Sequence, residues 1–297
     1  YDTPGPGVDL HRGEVVRFDP TLHAVELADG RSFEFERLLL ATGARPRRLP
    51  IPDDEGIVYF RSLDDYRRVR AHADAGHGET VLIGGGFIGL ELASALSDAG
   101  QDVTLVTRDE QLGRSRLPAM VCEWLEAQAR RFGVEVIPGD EVVAQERRAG
   151  RHHLRTREGV ELLADLAIAG IGIEPEVELA ERGGLLVDDG IVVDEQLRTS
   201  APDVFAAGDC ARGPVEGFGA IRQENEQNAR VAGMLAGRAM AGAPVRYDDV
   251  PFVYSEFFDA SLEVVGVLPE GATPVAAPGS TGERGAFCYV ADRRVRG

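Results

Sequence analysis

Three glycines spaced two and three residues apart, Gly84, Gly86 and Gly89, follow directly on the β-branched run Thr80-Val81-Leu82-Ile83 and open a helical pattern from Phe87 to Ala99. In such a pattern the first glycine permits a tight turn, the second lets the backbone approach a pyrophosphate, and the third lets helix and strand pack closely. The amides of the helix N-terminus, around Ile88, then face the phosphates with the positive end of the helix dipole. Gly100 is a natural stop, and Val103-Thr104-Leu105-Val106 supplies the next strand. Strand, loop, helix and strand in this register make a dinucleotide the expected ligand. A glycine-rich turn without a ligand is the alternative.

The end of the second strand bears on the choice between NADH and NADPH. An acidic side chain there bonds the ribose 2′-hydroxyl, whereas arginine accommodates a 2′-phosphate. Thr107 and Arg108 stand in that place, with Asp109 and Glu110 just beyond and Arg114 further on. Arg108 and Arg114 could clamp a phosphate and favour NADPH; Asp109 could reach a hydroxyl if the loop folds back. A solvated charged loop would explain each of them too.

A second signature lies about 120 residues later. Thr199-Ser200-Ala201-Pro202-Asp203-Val204-Phe205-Ala206-Ala207-Gly208-Asp209 reads as a strand whose C-terminal end presents a carboxylate after a glycine. In an open parallel sheet that edge is where ligands sit. Gly208 admits a close ligand, and Asp209 can accept bonds from polyol hydroxyls. Taken alone, Asp209 would more often cap a helix.

The elements that must carry these residues are set by periodicity. Residues 13–18, 24–27 and 32–35 alternate as a β meander, with the Asp29-Gly30 turn signal between the last two. Leu38-Leu39-Leu40-Ala41 is a continuous apolar run, as a strand buried on both faces would be, and it ends in Thr42-Gly43-Ala44-Arg45-Pro46. Residues 47–60 read as a proline-rich acidic connector, and a helix is expected from Ser62 to Ala75. Further on, a helix near Arg116 to Phe132, strands at 134–137, 141–147 and 153–157, and the run Leu166-Ala167-Ile168-Ala169 leading to Gly170-Ile171-Gly172 complete an α/β pattern. The run from Arg147 to Arg157 holds five arginines; it reads as a solvated hairpin rather than a dock for an acidic protein.

Composition narrows the function classes. A chain of 297 residues has room for roughly two domains. Its net charge of −18 argues against a general nucleic-acid or anionic-membrane surface. All 32 basic residues are arginine, so the chain offers no lysine for a Schiff base or a phosphate loop. Cys122, Cys210 and Cys288 have neither CxxC nor zinc-ligand spacing, and no metal site is expected. No apolar run approaches a membrane span of roughly 18 residues; Leu162 to Ile173 comes nearest and is interrupted by Asp165.

The Ala41-Thr42-Gly43 strand end, the Gly84 to Glu91 fingerprint and the Thr199 to Asp209 run together resemble the FAD-dependent pyridine nucleotide–disulfide oxidoreductase superfamily, along essentially the whole chain. The Arg222 to Ala229 segment and the run from Tyr247 to Asp259 resemble its ferredoxin/rubredoxin reductase, apoptosis-inducing factor and monodehydroascorbate reductase branch. The resemblance implies two Rossmann-like, three-layer dinucleotide-binding domains, the FAD domain split around the NAD(P) domain, and a C-terminal β-rich interface domain. The corresponding boundaries are 1–60 and 179–245 for the FAD domain, 61–178 for the NAD(P) domain and 246–297 for the interface domain. The family's first glycine motif is expected ahead of residue 1, so weak or no FAD retention is expected of this segment, and the last strands are expected beyond Gly297.

Position by position, the resemblance implies that Asp209 binds the FAD ribityl chain and that Thr42, Gly43 and Arg45 line the FAD side. Glu226 falls where a helix N-terminus approaches the flavin pyrimidine, favouring the anionic reduced flavin. Glu91 matches the glutamate near flavin N5, with a helix-surface glutamate as the alternative. Tyr254 matches the aromatic near the isoalloxazine, with a core aromatic on a strand as its alternative. Gly172 could let the nicotinamide arm come close. The implied activity is hydride transfer from NAD(P)H to FAD, then electron transfer to a ferredoxin or rubredoxin, a quinone or a small-molecule radical. A disulfide reductase with an upstream cysteine pair and a non-catalytic dinucleotide sensor are the alternatives. A cytoplasmic location is expected.

Overall fold

The computed structural model describes residues 5, 7–52, 54–114, 117–267, 274–280, 284–291 and 294–295. The chain divides into two units: Tyr1–Ala44 with Pro175–Val250, and Arg45–Glu174 with Pro251–Gly297.

In the first unit the meander forms as Val15–Asp19, Ala24–Leu27 and Ser32–Glu34, antiparallel in that order. Leu38–Leu40 and Val204–Ala206 pair in parallel, Leu38 opposite Val204 and Leu40 opposite Ala206. Leu40 is buried, but Leu38 and Leu39 stay partly exposed, so the expectation of a strand buried on both faces does not hold for these side chains. The long Thr199–Asp209 strand is also shorter than expected. Pro202 has no N–H to donate, the Ala201 amide is taken by the Thr199 hydroxyl at 3.2 Å, and Asp203 adopts φ +60°. The strand therefore begins at Val204, and Gly208–Cys210 is a turn of 3₁₀ helix. Helix Glu226–Met240 closes this unit, with Asn225 accepting from the Asn228 amide at its N-terminus.

The second unit is built on a five-stranded parallel sheet in the order Val58–Tyr59, Leu166–Ala169, Glu79–Ile83, Asp102–Thr107, Glu135–Pro138. These strands are apolar on both faces because helices cover one face and the antiparallel strands Val142–Arg148, Arg151–Thr156 and Glu161–Ala164 cover the other. Helix Leu63–Asp74 starts at a capping box, the Ser62 hydroxyl taking the Asp65 amide while the Asp65 carboxylate takes the Ser62 amide. Helix Phe87–Asp98 follows the glycine loop, and Ala119–Arg131 connects Asp102–Thr107 to Glu135–Pro138. Arg116, the expected start of that third helix, lies outside the described residues; Pro118 occupies the N-cap position.

One expectation is amended here. Residues 47–60 are not wholly connector, since Val58–Tyr59 forms the edge of the parallel sheet. The apolar stretch from Leu162 holds two strands on either side of Asp165. Glu161–Ala164 completes an antiparallel sheet with Val142–Arg148 and Arg151–Thr156, and Leu166–Ala169 joins the parallel sheet. Asp165 marks the switch by accepting the Glu79 amide at 3.0 Å and forming an ion pair with the Arg151 guanidinium at 3.0 Å. Finally, Phe252–Phe257 and Ala260–Val265 form a hairpin on the helix Phe87–Asp98. Phe257, 2% exposed, enters the same apolar core as Leu90, Leu105 and Leu125. Among the described residues no helix is long and apolar enough to cross a membrane.

Candidate functional site

Each unit gathers expected site residues at the C-terminal ends of its parallel strands. In the second unit the chain runs from Glu79–Ile83 outward through Asp102–Thr107 to Glu135–Pro138, then returns to Leu166–Ala169 on the other side of its starting strand. Strand order reverses there, and open α/β sheets bind ligands in the crevice outside such a reversal. The two loops that leave the reversal are the fingerprint, from Gly84, and Gly170-Ile171-Gly172.

Side chains are excluded from this crevice by its packing. Gly84 has φ +114°, and a Cβ on it would stand 2.4 Å from the Gly170 carbonyl oxygen. A Cβ on Gly89 would stand 2.0 Å from the Gly84 carbonyl oxygen, so the first turn of the helix and the end of the strand can meet only through glycine. Gly86 is different: it is exposed, and an added Cβ there meets nothing within 4 Å. The space before Gly86 is thus a cradle that a methyl group would begin to fill, which fits close approach by a pyrophosphate. Ile88, 44% exposed, lies on the outside of the first helical turn. Gly172 is exposed, with the Arg47 side chain 3.6 Å from the place its Cβ would take.

The end of Asp102–Thr107 carries the second half of the same site. Thr107 is buried, and its hydroxyl accepts the Asp109 amide at 3.3 Å. The Asp109 carbonyl takes the Gly139 amide at 2.9 Å and the Thr107 carbonyl takes the Asp140 amide at 3.1 Å. Arg108 and Arg114 on this tethered loop are both exposed, Arg114 reaching the Leu117 carbonyl at 3.5 Å.

Glu91 lies on the second turn of the fingerprint helix, half-buried, and accepts the Ser255 hydroxyl at 2.5 Å. Tyr254 is the next residue along the hairpin strand, and period-two alternation turns it to the opposite face. There it is 50% exposed and donates to Glu256, so it is not the core aromatic that was its alternative reading. The structure therefore brings Ser255, not Tyr254, to Glu91.

In the first unit the parallel register sets Ala41-Thr42-Gly43 beside Ala207-Gly208-Asp209, the Ala207 amide donating to the Leu40 carbonyl at 3.1 Å. A Cβ on Gly208 would lie 3.5 Å from Ala229 Cβ, so the turn bearing Asp209 sits directly against the first turns of helix Glu226–Met240. Thr42, Gly43, Gly208, Asp209 and Glu226 are thereby brought together, a carboxylate beside a positive helix end. The Thr42 hydroxyl donates to the Glu176 carbonyl at 2.6 Å. Arg45 falls in the second unit and pairs with Glu174 at 3.4 Å.

A buried network that motif spacing did not reveal fixes this helix end. Tyr247 donates to Asn228 Oδ1 at 2.6 Å, Gln223 Nε2 donates to the Tyr247 hydroxyl at 2.8 Å, and Asn228 Nδ2 donates to the Gln223 carbonyl at 2.9 Å. Burial pushes the Tyr247 hydroxyl up to about 12. The signal was present as buried-type amides flanking the helix start, but nothing in the sequence pairs them with a tyrosine nineteen positions on.

The arginine-rich hairpin is occupied by its own partners: Arg148 with Glu146 at 2.6 Å, Arg157 with Glu141 at 2.8 Å and Arg151 with Asp165 at 3.0 Å. That pattern suits a solvated hairpin. The thiols of Cys122, Cys210 and Cys288 are free, the first two buried and the third exposed.

Residues 4–236 match the pyridine nucleotide-disulphide oxidoreductase family. The chain belongs to that family. Rhodocoxin reductase of Rhodococcus erythropolis is 35% identical over 94% of this chain and 66% of its own length. Putidaredoxin reductase CamA of Pseudomonas putida is 36% identical over 86% of this chain and 62% of its own. The chain thus spans about two thirds of the length of these relatives. Among solved structures, the covalent putidaredoxin reductase–putidaredoxin complex matches with a TM-score of 0.87 at 31% identity, covering 95% of this chain and 70% of that one. The strand-order reversal at Gly84 and Gly170 lies in the second unit, and the helix end beside Asp209 lies in the first.

Proposed function

We propose that the chain is the nucleotide- and flavin-binding part of an NAD(P)H oxidoreductase that passes electrons to a small redox protein of the ferredoxin or rubredoxin type. The first unit is assigned to FAD and the second to NAD(P)H, with the C-terminal hairpin riding on the nucleotide unit. The observation that carries the reading is the crevice at Gly84, Gly86 and Gly170. It lies at a strand-order reversal, is closed to side chains by backbone contact at Gly84 and Gly89, and is open before Gly86.

When bound, FAD would supply a hydride acceptor for a nicotinamide and a means of releasing electrons one at a time. The chain's own residues do the rest. Asp209 holds polyol hydroxyls, and the N-terminus of helix Glu226–Met240 stabilises negative charge beside it. The fingerprint amides and the loop from Arg108 to Arg114 hold the nucleotide, and Glu91, fixed by Ser255, is assigned to the reacting end. The names of rhodocoxin reductase and putidaredoxin reductase support a protein acceptor, and a cytoplasmic location accords with a supply of reduced nucleotide.

Anaerobic addition of NADPH or NADH to the protein with FAD tests the reading. Loss of flavin colour well above the rate for free FAD, reversed by ferricyanide and accelerated toward cytochrome c by an added ferredoxin, is expected. No acceleration over free FAD would overturn it.

A further inference from the structure

Resting on that dinucleotide reading, we propose that the nucleotide site selects NADPH, with Arg108 and Arg114 binding its 2′-phosphate. Discrimination between the two nucleotides is made at the C-terminal end of the second strand, where a carboxylate would accept the ribose hydroxyls and repel a phosphate. Thr107 holds that position. It is 4% exposed, and its hydroxyl is turned under the glycine loop, 2.7 Å from where a Cβ on Gly85 would stand. That hydroxyl is already occupied by the Asp109 amide. Thr107 itself therefore offers neither an acidic acceptor for a 2′-hydroxyl nor a charge that would repel a phosphate.

Arg108 supplies the opposite chemistry at the next position. Its guanidinium is exposed, and among the described residues no carboxylate, carbonyl or ring engages it. Arg114, also exposed, has no ion pair among the described residues; its contact is the Leu117 carbonyl at a marginal 3.5 Å. This contrasts with the arginine-rich hairpin, where Arg148, Arg151 and Arg157 are each paired to a carboxylate.

The loop between the two arginines is held at both ends of its turn. Gly139 and Asp140 tether Thr107 and Asp109 through the backbone. Leu112 is fully buried, and its amide donates to the Glu126 carboxylate at 3.3 Å. The Asp109 backbone belongs to this tether through both its amide and its carbonyl. Two exposed guanidiniums with no ion pair among the described residues, on a tethered loop that follows Thr107 rather than an acidic residue at the strand end, supply the charge a phosphate dianion would need.

Calorimetric titration of the protein with adenosine 2′,5′-bisphosphate and with adenosine 5′-monophosphate isolates this step, because neither probe requires flavin. The bisphosphate should bind about tenfold tighter or more, as loss or gain of one charge-assisted contact implies. Arg108→Ala and Arg114→Ala should each narrow that ratio by about tenfold, Arg108→Lys by less, and raised ionic strength should narrow it in the parent protein. Equal affinities for the two probes, or a ratio that neither alanine variant changes, would overturn the proposal while leaving a dinucleotide site intact. Binding of neither probe would overturn the dinucleotide site and the proposal with it.

Discussion

Ser255 and Glu91, 164 positions apart, meet at 2.5 Å, hydroxyl to carboxylate, where the C-terminal hairpin lies on the fingerprint helix. The bond is sheltered, Ser255 being 2% exposed, and the Phe258 amide donates to Ser94 at 2.6 Å one helical turn further on. Together they fix which face of the hairpin meets the helix and which, bearing Tyr254, is left to solvent.

Ser255→Ala should therefore cost about 1 to 3 kcal/mol, since a half-buried carboxylate loses its donor. Urea unfolding measures this directly. A midpoint unchanged in the variant would mean that the contact does not hold the hairpin.

Gly86 and Gly89 should respond to alanine in opposite ways. Gly89→Ala drives a methyl into the Gly84 carbonyl and should lower stability by about 1 to 3 kcal/mol, with nucleotide binding lost as the helix moves away. Gly86→Ala meets open space, so its unfolding midpoint should stay close to that of the parent while nucleotide affinity falls at least about tenfold. A Gly86→Ala protein that binds NADPH normally would remove the pyrophosphate from that cradle.

His152 should give the protein a marked acid sensitivity. Burial first, then the neighbouring Arg147 and Arg68, hold its imidazole down at about 4. Its Nδ1 pairs with Gln145 Oε1 at 2.7 Å while Nε2 faces Arg147 at 3.2 Å. The folded state thus keeps the ring neutral where the unfolded chain, titrating near 6.5, takes up a proton. Stability is full above that value and falls as pH drops from about 6.5 toward 4, by up to about 3 kcal/mol. Thermal unfolding at pH 7.5 and pH 4.5 should show a fall that is smaller in His152→Gln; an equal fall in both proteins would assign the loss to other groups.

Tyr247→Phe removes the hydroxyl joining Gln223 to Asn228 and leaves two buried amide groups short of a partner. A loss of about 1 to 3 kcal/mol is expected, together with weaker flavin retention, because the same network seats the helix end beside Asp209. Chemical denaturation and flavin release on dilution read the two effects separately. Unchanged flavin retention at reduced stability would detach the network from the cofactor edge.

The nucleotide unit was largely legible because its signals are local. Thr80 to Val106 alternates strand, glycine loop, helix and strand within one short window, and each element appears within a residue or two of its expected limits. Contacts that span the chain were not legible. Val58–Tyr59 is too short to announce itself and becomes a strand by pairing with Leu166–Ala169. Glu161–Ala164 and Leu166–Ala169 form one apolar stretch in sequence, divided between two sheets by what Asp165 bonds. The partners of Glu91 and Tyr247 were hidden for the same reason, since hydrogen bonds between distant segments leave no period in the sequence.

The pairing of Leu38–Leu40 with Val204–Ala206 also has a consequence for biosynthesis. The first of these strands leaves the ribosome long before its partner exists, so the first unit has no parallel pair until residue 206 is made. The five-stranded parallel sheet between them, within 58–169, is complete earlier, and its closure draws Ala44–Pro46 and Ile173–Pro175 alongside one another. Closing a free loop of that length would cost about 4 to 5 kcal/mol in chain entropy; an interior that has already condensed shortens it to a few residues at each margin. Assembly should accordingly run from the inserted segment outward.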